Sequence, residues 1–222
     1  MKRSLFVLIV GETGVGKSHA AMSLGNSVML DTTINGDAEV AAWKVYGDEF
    51  GERYYRVSEY EQLCNVIEEC EVPVVCIDTG DSLRDVLARE YIRRVNEGRS
   101  EDKKVKKIYP VTEWGKVYDL GRELFYSYAG EKTFVITEGM KDEYVGDKPT
   151  GKKVPDGLKM LPAMADIVVN VKIVGGKRKF QVVKNRFIDK TSEEWIKEVG
   201  DLKVLFDEIE KVTGFKKEWL VV

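Results

Sequence analysis

The residues with the clearest chemical purpose lie near the start of the chain, in Gly11-Glu12-Thr13-Gly14-Val15-Gly16-Lys17-Ser18. The pattern GxxxxGK[ST] suits a phosphate chain. Its glycines let successive backbone N–H groups turn inward, and a helix opening at the lysine adds its positive end. Lys17 brings a full charge to the β- and γ-phosphates of a nucleoside triphosphate, and the Ser18 hydroxyl is a ligand for Mg²⁺. Gly11, Thr13, Gly14, Val15, Gly16, Lys17, Ser18 and His19 are the expected nucleotide-binding residues. The ion needs a carboxylate as well, and Val72-Pro73-Val74-Val75-Cys76-Ile77-Asp78 ends an apolar run in one. Ser18 and Asp78 are the expected metal ligands. No [NT]KxD guanine motif and no LSGGQ-like signature occurs, so ATP with Mg²⁺ is the expected cofactor pair and an ABC transporter is disfavoured.

These residues need a frame, and the surrounding pattern supplies one. Leu5 to Val10 has the bulk of a buried parallel strand, and Ala20, Ala21 and Leu24 continue as a helix, giving strand, loop and helix in the order a phosphate loop requires. Val28 to Leu30 reads as a strand ending in Asp31, Ser58 to Glu69 as a helix, and 72 to 77 as a strand. Asp81 to Val95 is helical with Leu83, Val86, Leu87 and Val95 on one face. Glu113 to Tyr128 is a further helix and Thr133 to Thr137 a strand. A long polar loop to Leu158 follows. Ile167 to Val174 and Lys179 to Val183 flank Gly175-Gly176, a hairpin signal. Trp195, Ile196, Val199 and Leu202 to Val212 suggest closing helices. The apolar end Trp219-Leu220-Val221-Val222 could dock on the core or on a neighbour.

The chain has 222 residues, 43% of them apolar, with five prolines, which fits an ordered globular protein. Its longest apolar run is far short of the roughly 20 residues that cross a bilayer, so no membrane partner and a cytoplasmic location are expected. Three cysteines without CxxC spacing and a single histidine disfavour a zinc site and a disulfide framework. Charged residues reach 33%, with 35 basic and 38 acidic groups giving −3. That sum argues against a protein that coats nucleic acid indiscriminately.

In the order of its elements the chain resembles the RecA-like P-loop ATPases, and most of all the short phage and viral RecA-like proteins of the Sak single-strand-annealing type. The resemblance covers about residues 4 to 190 and rests on the phosphate loop, "VVCID" at 74 to 78, "EWGKV" at 113 to 117, "LKMLPAMADIVV" at 158 to 169 and "VVKNR" at 182 to 186. It implies an α/β fold: a RecA-like core over residues 1–190, mainly a parallel sheet flanked by helices with a C-terminal antiparallel hairpin. Residues 191–222 would be a helical extension packed on the core or on a neighbouring subunit. If the source is viral, the location is host cytoplasm.

The resemblance also implies catalytic roles. Beside Lys17, an acid just beyond the second strand would polarise the attacking water; Asp31 fits, with Asp37 and Glu39 close behind, although the family's usual glutamate two residues later is missing. Thr137-Glu138 occupies the place of a γ-phosphate sensor, where glutamine or histidine is more usual, so Glu138 is a sensor or a second candidate base. Lys184 and Arg186, two apart on a strand end, would reach the γ-phosphate held by the next subunit of a ring or filament, so that a homo-oligomer shares its active sites. A basic edge strand that discourages aggregation is the other reading of that pair.

Charge is uneven along the chain. Residues 37 to 71 hold ten acids and three bases, whereas 171 to 188 hold six bases and no acid. The two polar segments where relatives contact DNA carry Lys103, Lys104, Lys106 and Lys107, followed by Tyr109 and Trp114, and then Lys148, Lys152 and Lys153. Lysines in loops suit phosphate contacts and aromatics suit base stacking, so single-stranded DNA is the expected partner. Together these features point to a Mg²⁺-dependent ATPase acting on single-stranded DNA in recombination or replication. A small-molecule P-loop kinase and a nucleotide-dependent assembly protein with little turnover are the alternatives.

Overall fold

A computed structural model describes residues 4–23, 25–108, 111–186, 196–198 and 207. The apolar run after Ser4 becomes β1 (Phe6–Gly11), buried at every position because sheet surrounds it on both edges and helices cover both faces. The phosphate loop leads into α1 (Lys17–Met22), then β2 (Ser27–Asp31), α2 (Glu39–Tyr46), α3 (Phe50–Arg53), β3 (Tyr54–Arg56) and α4 (Tyr60–Glu69). Next come β4 (Val74–Asp78), α5 (Gly80–Asn96), α6 (Val111–Ser127) and β5 (Thr133–Glu138). A separate ribbon of β6 (Met140–Val145) and β7 (Lys148–Pro155) precedes α7 (Leu161–Met164), β8 (Ile167–Val174), β9 (Lys177–Asn185) and β10 (Ile196–Glu198).

The main sheet runs β10-β9-β8-β1-β5-β4-β2-β3, parallel from β8 to β3 and antiparallel at the β8/β9 and β9/β10 pairs. Alternation along the strands splits the core in two. Val7, Ile9, Met29, Cys76, Val135 and Val169 pack with Ala20, Ala21, Met22, Ala38 and Ala42 of the α1/α2 side. Leu8, Leu30, Ile77 and Ile136 face Leu63, Ile67, Leu83, Leu87, Val117 and Leu124 of α4, α5 and α6. The α/β fold with its mostly parallel sheet and C-terminal hairpin is the expected one.

Local chemistry accounts for the elements that matter to the site. Thr79 caps α5 by accepting from the Ser82 N–H, and Leu83, Val86, Leu87 and Tyr91 form its buried stripe. At the hairpin tip Gly175 and Gly176 have φ of 60° and 75°, the left-handed values that a tight two-residue turn demands.

Three findings depart from the sequence expectations. The segment after Glu138 is not a loop: residues 140 to 155 pair as the β6/β7 ribbon. Its side chains are mostly solvated on both faces, so no alternation of apolar and polar residues announces it. The sequence marks no element between Asp31 and Ser58, yet α2, α3 and β3 lie there; α2 exposes Val40 and Trp43, which blurs its periodicity. Ile196–Glu198 is a strand pairing antiparallel with β9, not part of a closing helix. Leu24, Tyr109, Trp195, Val199 and most of the anticipated extension at 191–222 lie outside the described residues.

Candidate nucleotide site

The phosphate loop caps the carboxyl end of the sheet. Gly14 and Gly16 have φ of 81° and 95°, which a side chain would strain. Gly11 is required for space, because a Cβ there would stand 2.4 Å from the Val171 carbonyl oxygen of β8. Val15 is buried, and its carbonyl accepts from Arg178 Nε at 3.3 Å. Thr13 is exposed, and His19 lies in α1. The Lys17 Nζ donates to the Glu12 carbonyl at 2.9 Å. Burial lowers the Lys17 pKa, while the charges of Asp78 and Asp81 oppose that shift.

Ser18 and Asp78 meet as expected: the Ser18 hydroxyl donates to Asp78 Oδ2 at 2.9 Å. Asp78 is 2% exposed, and burial raises its pKa against the hydrogen bonds from Thr137 and Ser18 and the charge of Lys17. The Thr137 hydroxyl donates to Asp78 Oδ1. Two oxygen donors beside a lysine and an amide-lined loop fit Mg²⁺, which prefers oxygen and completes its shell with phosphates and water. Among the described residues no cluster of three or more His, Cys, Asp or Glu side chains forms a separate metal site.

Asp31, Asp78 and Thr137 stand side by side in the register of β2, β4 and β5. Asp31 is nevertheless fully committed. Its Oδ1 accepts from the Thr33 N–H at 2.9 Å and the Thr33 hydroxyl at 2.6 Å, and its Oδ2 accepts from the Ala38 N–H and the Tyr54 hydroxyl, both at 2.9 Å. With every strong acceptor position taken, Asp31 shapes the turn into α2 and has no oxygen left to orient a water. These four bonds count against the expectation that Asp31 is the base. Asp31→Ala would strand four donors in a buried place, and we expect a loss of roughly 3 kcal/mol in urea unfolding. Nucleotide affinity of the folded variant should change little.

Glu138 is the opposite case. It is fully buried and neither carboxylate oxygen has a hydrogen-bonding partner. Burial pushes its pKa up to about 8, offset in part by the nearby Leu158 backbone and reinforced by Asp81 and Asp156. Glycines make room for it: a Cβ at Gly80 or Gly157 would approach Oε1 within 2.6 and 1.9 Å. By alternation it emerges on the α5/α6 side, across the sheet from Asp78. The Asp81 charge raises the pKa of both Lys17 and Glu138, and its carboxylate accepts from the Thr79 hydroxyl. The sequence reading missed Asp81; an acid three residues past Asp78 was the available signal. Arg178 of β9, which reaches the Val15 carbonyl, was also missed, and nothing local marks it.

Lys184 and Arg186 converge, but far from the phosphate loop of their own chain. Lys184 Nζ donates to the Pro162 and Ala163 carbonyls at 2.7 and 2.9 Å, and Arg186 reaches the same Ala163 carbonyl at 2.7 Å and Asp166 Oδ1 at 3.4 Å. Lys184 pairs with Val168, near the start of β8, so both cations lie at the amino end of β1. Lys184 is level with Leu8 and Arg186 with Phe6, so roughly 10 and 17 Å of β1, at about 3.3 Å per residue, separate these positions from Gly11. Burial and the Arg186 charge lower the Lys184 pKa.

The lysines expected to contact a polynucleotide divide. Lys103, Lys106, Lys107, Lys148 and Lys152 are exposed. Lys104 pairs with Glu101, and Lys153 crosses from the ribbon to pair with Glu12 of the phosphate loop. Trp114 packs against the α4–α6 core and near Tyr118, so it is a packing residue. No helix among the described residues is long and apolar enough to cross a membrane.

No family model matches the chain, and no curated protein does. Solved structures do. The crystal structure of the RadB recombinase is 13% identical, with a TM-score of 0.50 over 89% of this chain and 92% of its own. A KaiC-like protein from the hyperthermophilic archaeon Pyrococcus horikoshii OT3 is 14% identical, with a TM-score of 0.50 over 86% and 84%. At this identity the likeness speaks for architecture: the chain has the RecA-like α/β fold.

Proposed function

We propose that this protein is a Mg²⁺-dependent ATPase of the RecA-like kind that works as a homo-oligomer on single-stranded DNA. The observation that supports the nucleotide reading is the Ser18–Asp78 contact at 2.9 Å beside a loop whose Gly14 and Gly16 hold left-handed φ values. The phosphate loop and Lys17 would bind the triphosphate, and Ser18 and Asp78 would hold the ion. Mg²⁺, when bound, neutralises charge on the β- and γ-phosphates. Thr137 holds Asp78 in orientation.

Glu138, with its raised pKa, would carry a proton near neutral pH and could donate a hydrogen bond as the amide of glutamine does. That suits a γ-phosphate sensor better than a base. Lys184 and Arg186 would serve the nucleotide of a neighbouring subunit, since they cannot reach their own. The exposed lysines at 103, 106, 107, 148 and 152 would track a DNA backbone. Kinship with the short phage and viral RecA-like proteins, and a role in recombination or replication, belong to the same reading. The commitment of Asp31 to four hydrogen bonds favours one rival, a nucleotide-dependent assembly protein with little turnover.

Lys17→Ala should weaken ATP binding by at least about 10-fold in titration calorimetry, the scale of one lost charge-assisted contact. Hydrolysis by the wild type should rise with single-stranded oligonucleotide, and binding should fall steeply with salt. An ATPase rate indifferent to DNA, with no salt-sensitive binding, would remove DNA from the proposal. Tight ATP binding with negligible hydrolysis at every protein concentration would favour the assembly protein.

A further inference from the structure

Two surfaces on opposite faces of the sheet have complementary character. The first follows β2: Ile34, Val40 and Trp43 are 94%, 65% and 63% exposed. Val40 and Trp43 are three apart on α2 and share its outer face, while Ala38 and Ala42 hold the inner one. Asp37 and Glu39 flank this patch and Asp48, Glu49 and Glu52 follow it, against three bases, Lys44, Arg53 paired with Glu49, and Arg56 on the Ile34 carbonyl. It begins at the carboxyl end of β2, where Asp31 is in register with Asp78.

The second surface is a groove of about 650 Å³ at the amino end of β1. Phe6, Phe125, Phe134 and Met160 form its apolar lining, with Phe125 packed edge-on to Phe6 and Phe134 at 5.0 and 5.1 Å. Tyr126, 65% exposed, also lines it. The charges at the groove are mainly positive: Arg122, Lys132, Lys159 and Arg186 against the single carboxylate of Asp166. Asp166 already accepts from the Phe6 N–H and from Arg186.

We propose that the groove receives the Ile34–Val40–Trp43 patch of a second copy of this chain. Charge complementarity selects the occupant: an apolar patch with an excess of acids meets an apolar groove with an excess of cations. One molecule cannot bring its own two surfaces together, because α2 packs on one face of the sheet and the groove is lined from the other. The contact is therefore head-to-tail, each copy offering its patch to one neighbour and its groove to another. Trp43 is the expected anchor, since a buried indole dominates contacts of this kind. The inference rests on the shared-site reading and deepens it, because Arg186 lines the groove and would be carried toward the phosphate-loop end of the adjoining copy.

Mass measurement of the full chain with a non-hydrolysable ATP analogue and Mg²⁺ tests it. Wild type should form multimers. Trp43→Asp and Tyr126→Asp change exposed side chains, so each variant should keep its unfolding midpoint and its ATP affinity while remaining monomeric. Mixed together they should form a species of twice the monomer mass and nothing larger. The intact groove of the first accepts the intact patch of the second, and the ends left over cannot join. A misfolded variant would not recover on mixing. The proposal is overturned if wild type stays monomeric, if either variant still assembles, or if the mixture yields no dimer. Because ATP affinity is read on the same samples, failure of the interface is distinguishable from failure of the nucleotide reading.

Discussion

Arg186→Ala is expected to lower the steady-state ATPase rate by about 10³-fold, the low end of what an arginine supplied across an interface contributes to phosphoryl transfer. ATP affinity should stay within a few-fold of wild type, because the contact forms chiefly where charge develops in the transition state. The structure gives this its force. Arg186 sits at the amino end of β1 and Lys17 at the carboxyl end, so loss of activity cannot be a local effect on the phosphate loop. Its intramolecular contacts, one carbonyl and one long ion pair to Asp166, are partly exposed and worth at most about 1 kcal/mol. Mixing Arg186→Ala with Lys17→Ala separates the possibilities. Subunits with an intact phosphate loop but no arginine would be served by neighbours with the arginine but no lysine, so activity should return. Two silent variants whose mixture stays silent would show that the site lies within one subunit.

Glu138→Gln should remove a pH dependence of stability that spans neutral pH. The folded chain raises this carboxyl from 4.5 to about 8, so between those values it holds a proton that the unfolded chain releases. Stability from this group is complete below the unfolded pKa near 4.5 and is lost as pH rises through about 8. At about 1.4 kcal/mol per pKa unit, the loss amounts to a few kcal/mol. Burial also raises Asp78 and gives a slope of the same sign, so the informative quantity is wild type minus variant. Urea unfolding without nucleotide should show the variant gaining relative stability steadily from about pH 5 to about pH 8.5. Parallel curves would refute the buried proton. Glutamine keeps the shape and the donor, so the variant should also retain ATPase activity if Glu138 acts as a hydrogen-bonding sensor; a base would not survive the change.

The sequence by itself determined the parts whose chemistry is local. GxxxxGKS reads as a phosphate loop because backbone turns and adjacent amides suffice to build one. The apolar run ending in Asp78 and the Gly175-Gly176 hairpin are legible for the same reason: strand burial and left-handed turns leave marks within a few residues. Tertiary structure alone decided what depends on residues distant in sequence. Asp31 and Glu138 look alike as strand-end acids. One is saturated by Thr33, Ala38 and Tyr54, whereas the other is walled in by Gly80 and Gly157 and left without a donor. The β6/β7 ribbon was hidden because solvent on both faces removes the alternation that identifies a strand. The separation of Lys184 and Arg186 from the phosphate loop was invisible for a simpler reason: which end of a sheet a strand presents is fixed by its pairing partners, and pairing is a property of the whole fold.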